Sequence, residues 1–264
     1  MGSGKYVELL KLKHLLGDQS MGKLQFLEKL SQEELEVLRE HIQNALYDQS
    51  EHWQKIARVT KFFPNYMNAK ISEQVIGSAI TANISYYIDI RELTGIMKHL
   101  SLPFIAEVTQ LLIPSKSAQI VNEIPLDLLR KVVLYLLQQD KHIVVASFIE
   151  VVNQHRVREL AAALKDADLL ICAQYIKDKT LITHVFESFS RRKQLELLMV
   201  AIDLNLLDVL LELYMLMEDK VVLSLAEGLK VSSSLKFNSA MNQMLVYWHQ
   251  GKFARVYNIF NSCS

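Results

Sequence analysis

Few side chains in this sequence stand at spacings that do chemistry. Eight histidines fall at positions 14, 41, 52, 99, 142, 155, 184 and 249. No two are three or four residues apart, the separation that puts a pair of imidazoles on one helix face around a metal ion. Asp166 and Asp168 form a D-x-D pair, the one local pair of carboxylates that suggests a hard cation. Magnesium and calcium gather several convergent oxygen ligands, so capping of the following helix is the plainer reading of that pair. His184 lies among Ile182, Val185 and Phe186, where a satisfied or surface-edge imidazole is expected rather than a catalytic base. Gly2-Ser3-Gly4-Lys5 echoes a phosphate loop but lacks its first glycine, its Ser or Thr, and the strand that must precede it. A G-x-S-x-G nucleophile elbow does not occur. The expectation is a protein that is not an enzyme, with no cofactor and no metal ligand set beyond the weak pair Asp166 and Asp168.

Other residue groups suggest binding. Arg156 and Arg158 follow His155, and Arg191, Arg192 and Lys193 follow Ser190. Both clusters fall at expected helix junctions, where they could meet phosphate or an acidic partner, or simply complement helix ends. The chain carries 29 basic and 29 acidic residues and a formal charge of zero, so nucleic-acid binding is not expected. Phe62 and Phe63 open a Phe-Phe-Pro-Asn breaker, which either caps the core or serves as a hinge or docking surface. Near the C-terminus, Tyr247, Trp248 and Tyr257 supply aromatic anchors of the kind that dominate interface energetics. Lys230, Lys236, Lys252 and Arg255 against Glu227 give this tail a formal excess of three positive charges.

The elements that must position these groups are helices. Half the residues are hydrophobic, and only four prolines and eight glycines occur, too little turn chemistry for a sheet. Phe104, Ile105, Val108, Leu111 and Leu112 fall on one face of a 3.6-residue period, and Leu128, Leu129, Val132, Val133, Tyr135 and Leu136 repeat the design. Pro103 and Pro125 suit first-turn positions. Between Arg91 and Met217 short helical patterns begin roughly every 12 residues, so two make a unit of roughly 25, within the range of solenoids. Pieces this short are marginal alone and must be stabilised by stacking. Upstream, Ser31 and Glu34 form a capping box, from which one long helix is expected to run from Gln32 to Val59. Leu35, Leu38, Ile42, Leu46, Trp53 and Ile56 make its apolar stripe, interrupted at Gln49, which packs on the array or serves as the seam of a homodimer.

The succession RELTGIMKHLSLPFIAEVTQLLIPSKSAQIVNEIPLDLLRKVVLYL resembles the cytosolic N-terminal domain of MgtE-type magnesium transporters, and is similar in design to the helical modules of the flagellar switch protein FliG. The resemblance covers roughly 71–217, with short helices that often start near proline. It implies an all-α array and a possible link to magnesium sensing through acidic residues at interfaces. This array is not unusually acidic, however, and no apolar run reaches the roughly 20 residues of a membrane span.

The reading as a whole is all-α: a superhelical array of short helices with a longer N-terminal helix. Its parts are N-terminal helices over 1–66, the repeat array over 67–220, and C-terminal capping helices over 221–264. No signal peptide is visible. Cys172 sits in an apolar run and Cys263 in the tail, so a reduced, cytoplasmic setting is expected. The expected role is non-enzymatic interaction with an unknown protein partner or regulation, with a divalent-cation or small-ligand sensor as the alternative.

Overall fold

Every element described in the computed structural model, which covers residues 3–16, 25–46 and 50–263, is a helix. No helix among these residues is long and apolar enough to cross a membrane. The chain forms two compact units, Met1–Val152 and Asn153–Ser264. The break falls inside the stretch read from sequence as one array.

The first unit holds α1 (Ser3–Leu16), α2 (Gln32–Leu46), α3 (Ser50–Val59), α4 (Asn65–Ile71), α5 (Ser78–Ser85), α6 (Ile90–Met97), α7 (Leu102–Leu111), α8 (Ala118–Glu123), α9 (Leu126–Gln138) and α10 (His142–Ile149). Local chemistry sets many of the starts. The Ser31–Glu34 capping box is formed: Glu34 N–H donates to Ser31 Oγ at 3.1 Å, and Ser31 N–H to Glu34 Oε2 at 2.7 Å. Asp89 caps α6 and Ser101 caps α7, with Pro103 in the first turn. Pro125 stands one residue earlier than expected, at the N-cap of α9. Packing links second neighbours along the chain: α3 lies on α5, α5 on α7, α7 on α9, and α4 on α6. Helices that are too short to persist singly thereby bury one face against two others.

The expected single helix from Gln32 to Val59, and with it a distinctively long N-terminal helix, is not borne out. Two helices are described instead, and residues 47–49 between them lie outside the described residues. Their partners differ. Leu35 of α2 is buried with Leu9, Leu12 and Leu27 in a cluster of its own, whereas α3 packs on α5. One apolar period thus serves two separate contacts. At 15 residues α2 is no longer than the 16-residue helix near the C-terminus.

The second unit holds α11 (Gln154–Ala161), α12 (Asp166–Tyr175), α13 (Lys179–Glu187), α14 (Arg191–Asp203), α15 (Leu207–Tyr214), α16 (Asp219–Ser232), α17 (Ser234–His249) and α18 (Ala254–Asn261). Second-neighbour packing recurs, with α11 on α13, α12 on α14, α13 on α15, α14 on α16 and α16 on α18. One large core joins α12 to α18 through residues such as Leu198, Leu211, Tyr214, Leu225, Phe237 and Phe260, all buried. Gly228 lets α16 approach α14 closely, since a Cβ there would stand 3.1 Å from Leu195. Asn205, with φ 58°, closes α14 in the left-handed conformation that Asn tolerates, and Leu206 N–H reaches back to Ala201 O at 2.8 Å.

Candidate interaction surface

The Phe-Phe-Pro-Asn breaker forms an exposed corner between α3 and α4. Its shape follows from Pro64. A residue before proline is pushed out of the helical region, and Phe63 is extended at φ −117°, ψ 145°. Pro64 continues extended at φ −58°, ψ 148°, and its carbonyl accepts from Met67 N–H at 2.9 Å and Asn68 N–H at 3.1 Å, starting α4. Asn68 then braces the turn. Its side chain is buried, at 6% exposure, and its Nδ2 donates to Thr60 O at 2.9 Å and Phe63 O at 3.2 Å. The Thr60 hydroxyl lies 2.7 Å from Ala57 O and 2.5 Å from Glu92 Oε1, tying the corner to α6. Gly95 of α6 allows this approach, because a Cβ there would meet the Asn65 side chain at 2.2 Å.

The braced corner turns its apolar side chains outward. Phe62 is 82% exposed and Phe63 40% exposed, so Phe62 does not cap the core. Ile56, Val59 and Tyr66 are exposed as well; Ile56 and Val59 are neighbours on the surface of α3, and Tyr66 stands in the first turn of α4. In α3, Ala57 is the buried residue and Trp53 is half-buried. With 3.6 residues per turn, Ile56 borders that packed stripe on one side and Arg58 on the other, with Val59 and Lys55 between them on the far side. Lys61 to Pro64 are all exposed in succession. The turn therefore stands out from the first unit.

Several of the other sequence-derived candidates have partners within the chain. Asp166 pairs with Lys193, and Asp166 and Asp168 lie inside the first turn of α12, whose N-cap is Lys165 without a side-chain bond. The expected capping role is thus corrected: the helix begins at Asp166 itself, so neither carboxylate stands before it. Among the described residues no group of three or more His, Cys, Asp or Glu could hold a metal ion. In the basic cluster after Ser190, which caps α14, Arg191 donates to Gln194 Oε1 at 3.3 Å and Arg192 to Glu196 Oε1 at 2.9 Å. Burial pushes the Arg191 guanidinium pKa down. His155 and His184 stand 3.6 Å from Glu159 and Glu187 on their own helices. Lys5 lies within α1 and donates to Glu28 O at 2.7 Å, a helical setting unlike a phosphate loop; Gly2 lies outside the described residues.

At the C-terminal end the three aromatic candidates stack on the protein itself. Trp248 is 41% exposed, with its ring 5.4 Å from that of Tyr257 and nearly parallel to it. Tyr247 meets Phe253 edge-on at 5.8 Å, and both tyrosines are half-buried against the second unit's core. The neighbouring cations are also engaged. Arg255 donates to Asp219 Oδ1 at 2.7 Å and to the carbonyls of Met215 and Met217 at 3.0 and 2.5 Å, which joins α18 to the end of α15 and the start of α16. Lys236 pairs with Asp203 at 2.5 Å.

Of the residues that build the corner, sequence reasoning found Phe62, Phe63 and Pro64 but missed Asn68, Thr60, Glu92 and Gly95. The only signal for Asn68 was an asparagine inside a helical pattern, where its side chain competes for backbone groups. No protein-family model matches the chain, and no curated protein and no solved structure does either.

Proposed function

We propose that this chain is a non-enzymatic helical-repeat module that works by docking, through the corner formed by Ile56, Val59, Phe62, Phe63 and Tyr66, in an interaction or regulatory role. The observation that carries the reading is Phe62, 82% exposed on a turn held by two side-chain bonds from buried Asn68. Holding a large aromatic side chain in water sacrifices the burial that normally stabilises it, by about 1.5–3 kcal/mol. A braced aromatic of this kind is a pre-ordered anchor, and pre-ordering lowers the entropy lost on binding. Against the magnesium-sensor alternative stands the pairing of Asp166, one of its two candidate ligands with Asp168, to Lys193. In this proposal the likeness to the MgtE cytosolic domain extends to a stack of short helices and not to cation sensing.

The test is a photo-crosslinking amino acid placed at position 62 in cells, with position 98 as an exposed control in the same unit. Adducts at position 62 that are absent at position 98 support the docking role. Identical patterns at both positions overturn it.

A further inference from the structure

We infer that the Phe62 corner docks on an anionic lipid surface; this rests on the reading of the corner as the docking face. Two features of the corner point to that occupant. The first is charge. Residues 55–70 contain Lys55, Arg58, Lys61 and Lys70 and no carboxylate, in a chain whose formal charge is zero. All four cations are exposed, and among the described residues none of them takes part in an ion pair. Glu92 is the carboxylate held against this segment, at the Thr60 hydroxyl, and its single negative charge leaves the four cations in excess. Four cations of the second unit, Arg192, Lys193, Lys236 and Arg255, by comparison each have a carboxylate partner.

The second feature is shape. Lys61, Phe62, Phe63 and Pro64 are exposed in unbroken succession, so the apolar crown is a projecting tip. A protein partner would have to supply a pocket around that tip, whereas a bilayer interface accepts it as it stands. Phe62, Phe63 and Tyr66 are of the residue types that enter the boundary between headgroups and acyl chains, with lysine and arginine beside them at headgroup level. Lys55 lies on the α3 face beside Val59 and Arg58 on the flank beyond it, and their long stems can reach phosphate while the apolar crown is inserted. Stable peripheral attachment takes two signals, and here an apolar insertion and a cationic collar share one turn.

The experiment is co-sedimentation of the full chain with vesicles of phosphatidylcholine alone and of phosphatidylcholine with about one-third phosphatidylserine. Binding is expected to the anionic vesicles and not to the neutral ones, and to weaken as salt rises. Phe62→Ser is expected to weaken the partition at least about tenfold, and Lys55→Gln, Arg58→Gln and Lys61→Gln about five-fold each, with Lys98→Gln unchanged. These side chains are exposed, so circular dichroism of the variants should match the wild type. Absence of binding to anionic vesicles, or binding that the four corner substitutions leave unaltered, overturns the lipid assignment. If crosslinks from position 62 then go to protein alone, the corner remains a docking face whose partner is a protein; if position 62 gives no adduct of its own, the docking reading falls with it.

Discussion

Replacing Asn68 with alanine tests whether the corner is braced or merely adjacent. The substitution removes donors to Thr60 O at 2.9 Å and Phe63 O at 3.2 Å while leaving the α4 backbone intact. Each neutral hydrogen bond contributes about 1 kcal/mol net. The two carbonyls lie at an exposed turn, where water can replace part of what is lost, so the expected cost is about 1–2 kcal/mol and is concentrated at the corner. Amide exchange reads such local opening directly. Phe63 N–H, bonded to Thr60 O at 3.1 Å, should exchange about tenfold faster, since about 1.4 kcal/mol corresponds to one decade. Exchange across α9, in the same unit, should stay as in the wild type. Asn68→Asp should be worse than alanine, because it keeps the size but points a carboxylate at two carbonyl oxygens. Unchanged exchange at residues 60–64 in the alanine variant would refute the brace, and with it the argument that Phe62 is held ready for a partner.

Two further outcomes follow from the second unit. Burial raises the Asp208 carboxyl pKa, with Glu212 adding to the rise and backbone bonding opposing it; the folded state then binds the proton more tightly than the unfolded chain, whose value is about 3.9. Stability from this group is full below that value and is lost as pH rises through the raised folded pKa, so Asp208→Asn should raise the melting temperature at pH 7 and the gain should vanish towards pH 3–4; an equal gain at both pH values would refute the assignment. Cys172 is buried, with its thiol pushed up to about 12 chiefly by desolvation and secondarily by Asp168, whereas Cys263 is half-buried near the C-terminus. A thiol reagent at pH 8 should therefore label Cys263 in the native protein and Cys172 only with unfolding, and equal labelling rates, checked by peptide mass, would show the α12 core to be open.

The amino-acid sequence by itself determined what depends on neighbours along the chain. Scarce proline and glycine with a 3.6-residue apolar period gave helices throughout, and the Ser31–Glu34 box and the break at Pro64 act within four residues, so each is present as read. The period also told which side chains share a face, but not which element comes to lie against it. That is why the stripe from Leu35 to Ile56 read as one helix although its two halves pack on different partners, and why the sequence left Phe62 and Trp248 open to two readings, as cap or as anchor. Tertiary structure decided these cases through contacts distant in sequence. Lys193 neutralises Asp166, Tyr257 stacks on Trp248, and Glu92 and Gly95 receive the corner that Asn68 braces, leaving Phe62 and its cations facing outward. Such pairings depend on where separate helices meet in space, and that is set by how all their faces pack together rather than by the pattern on any one of them.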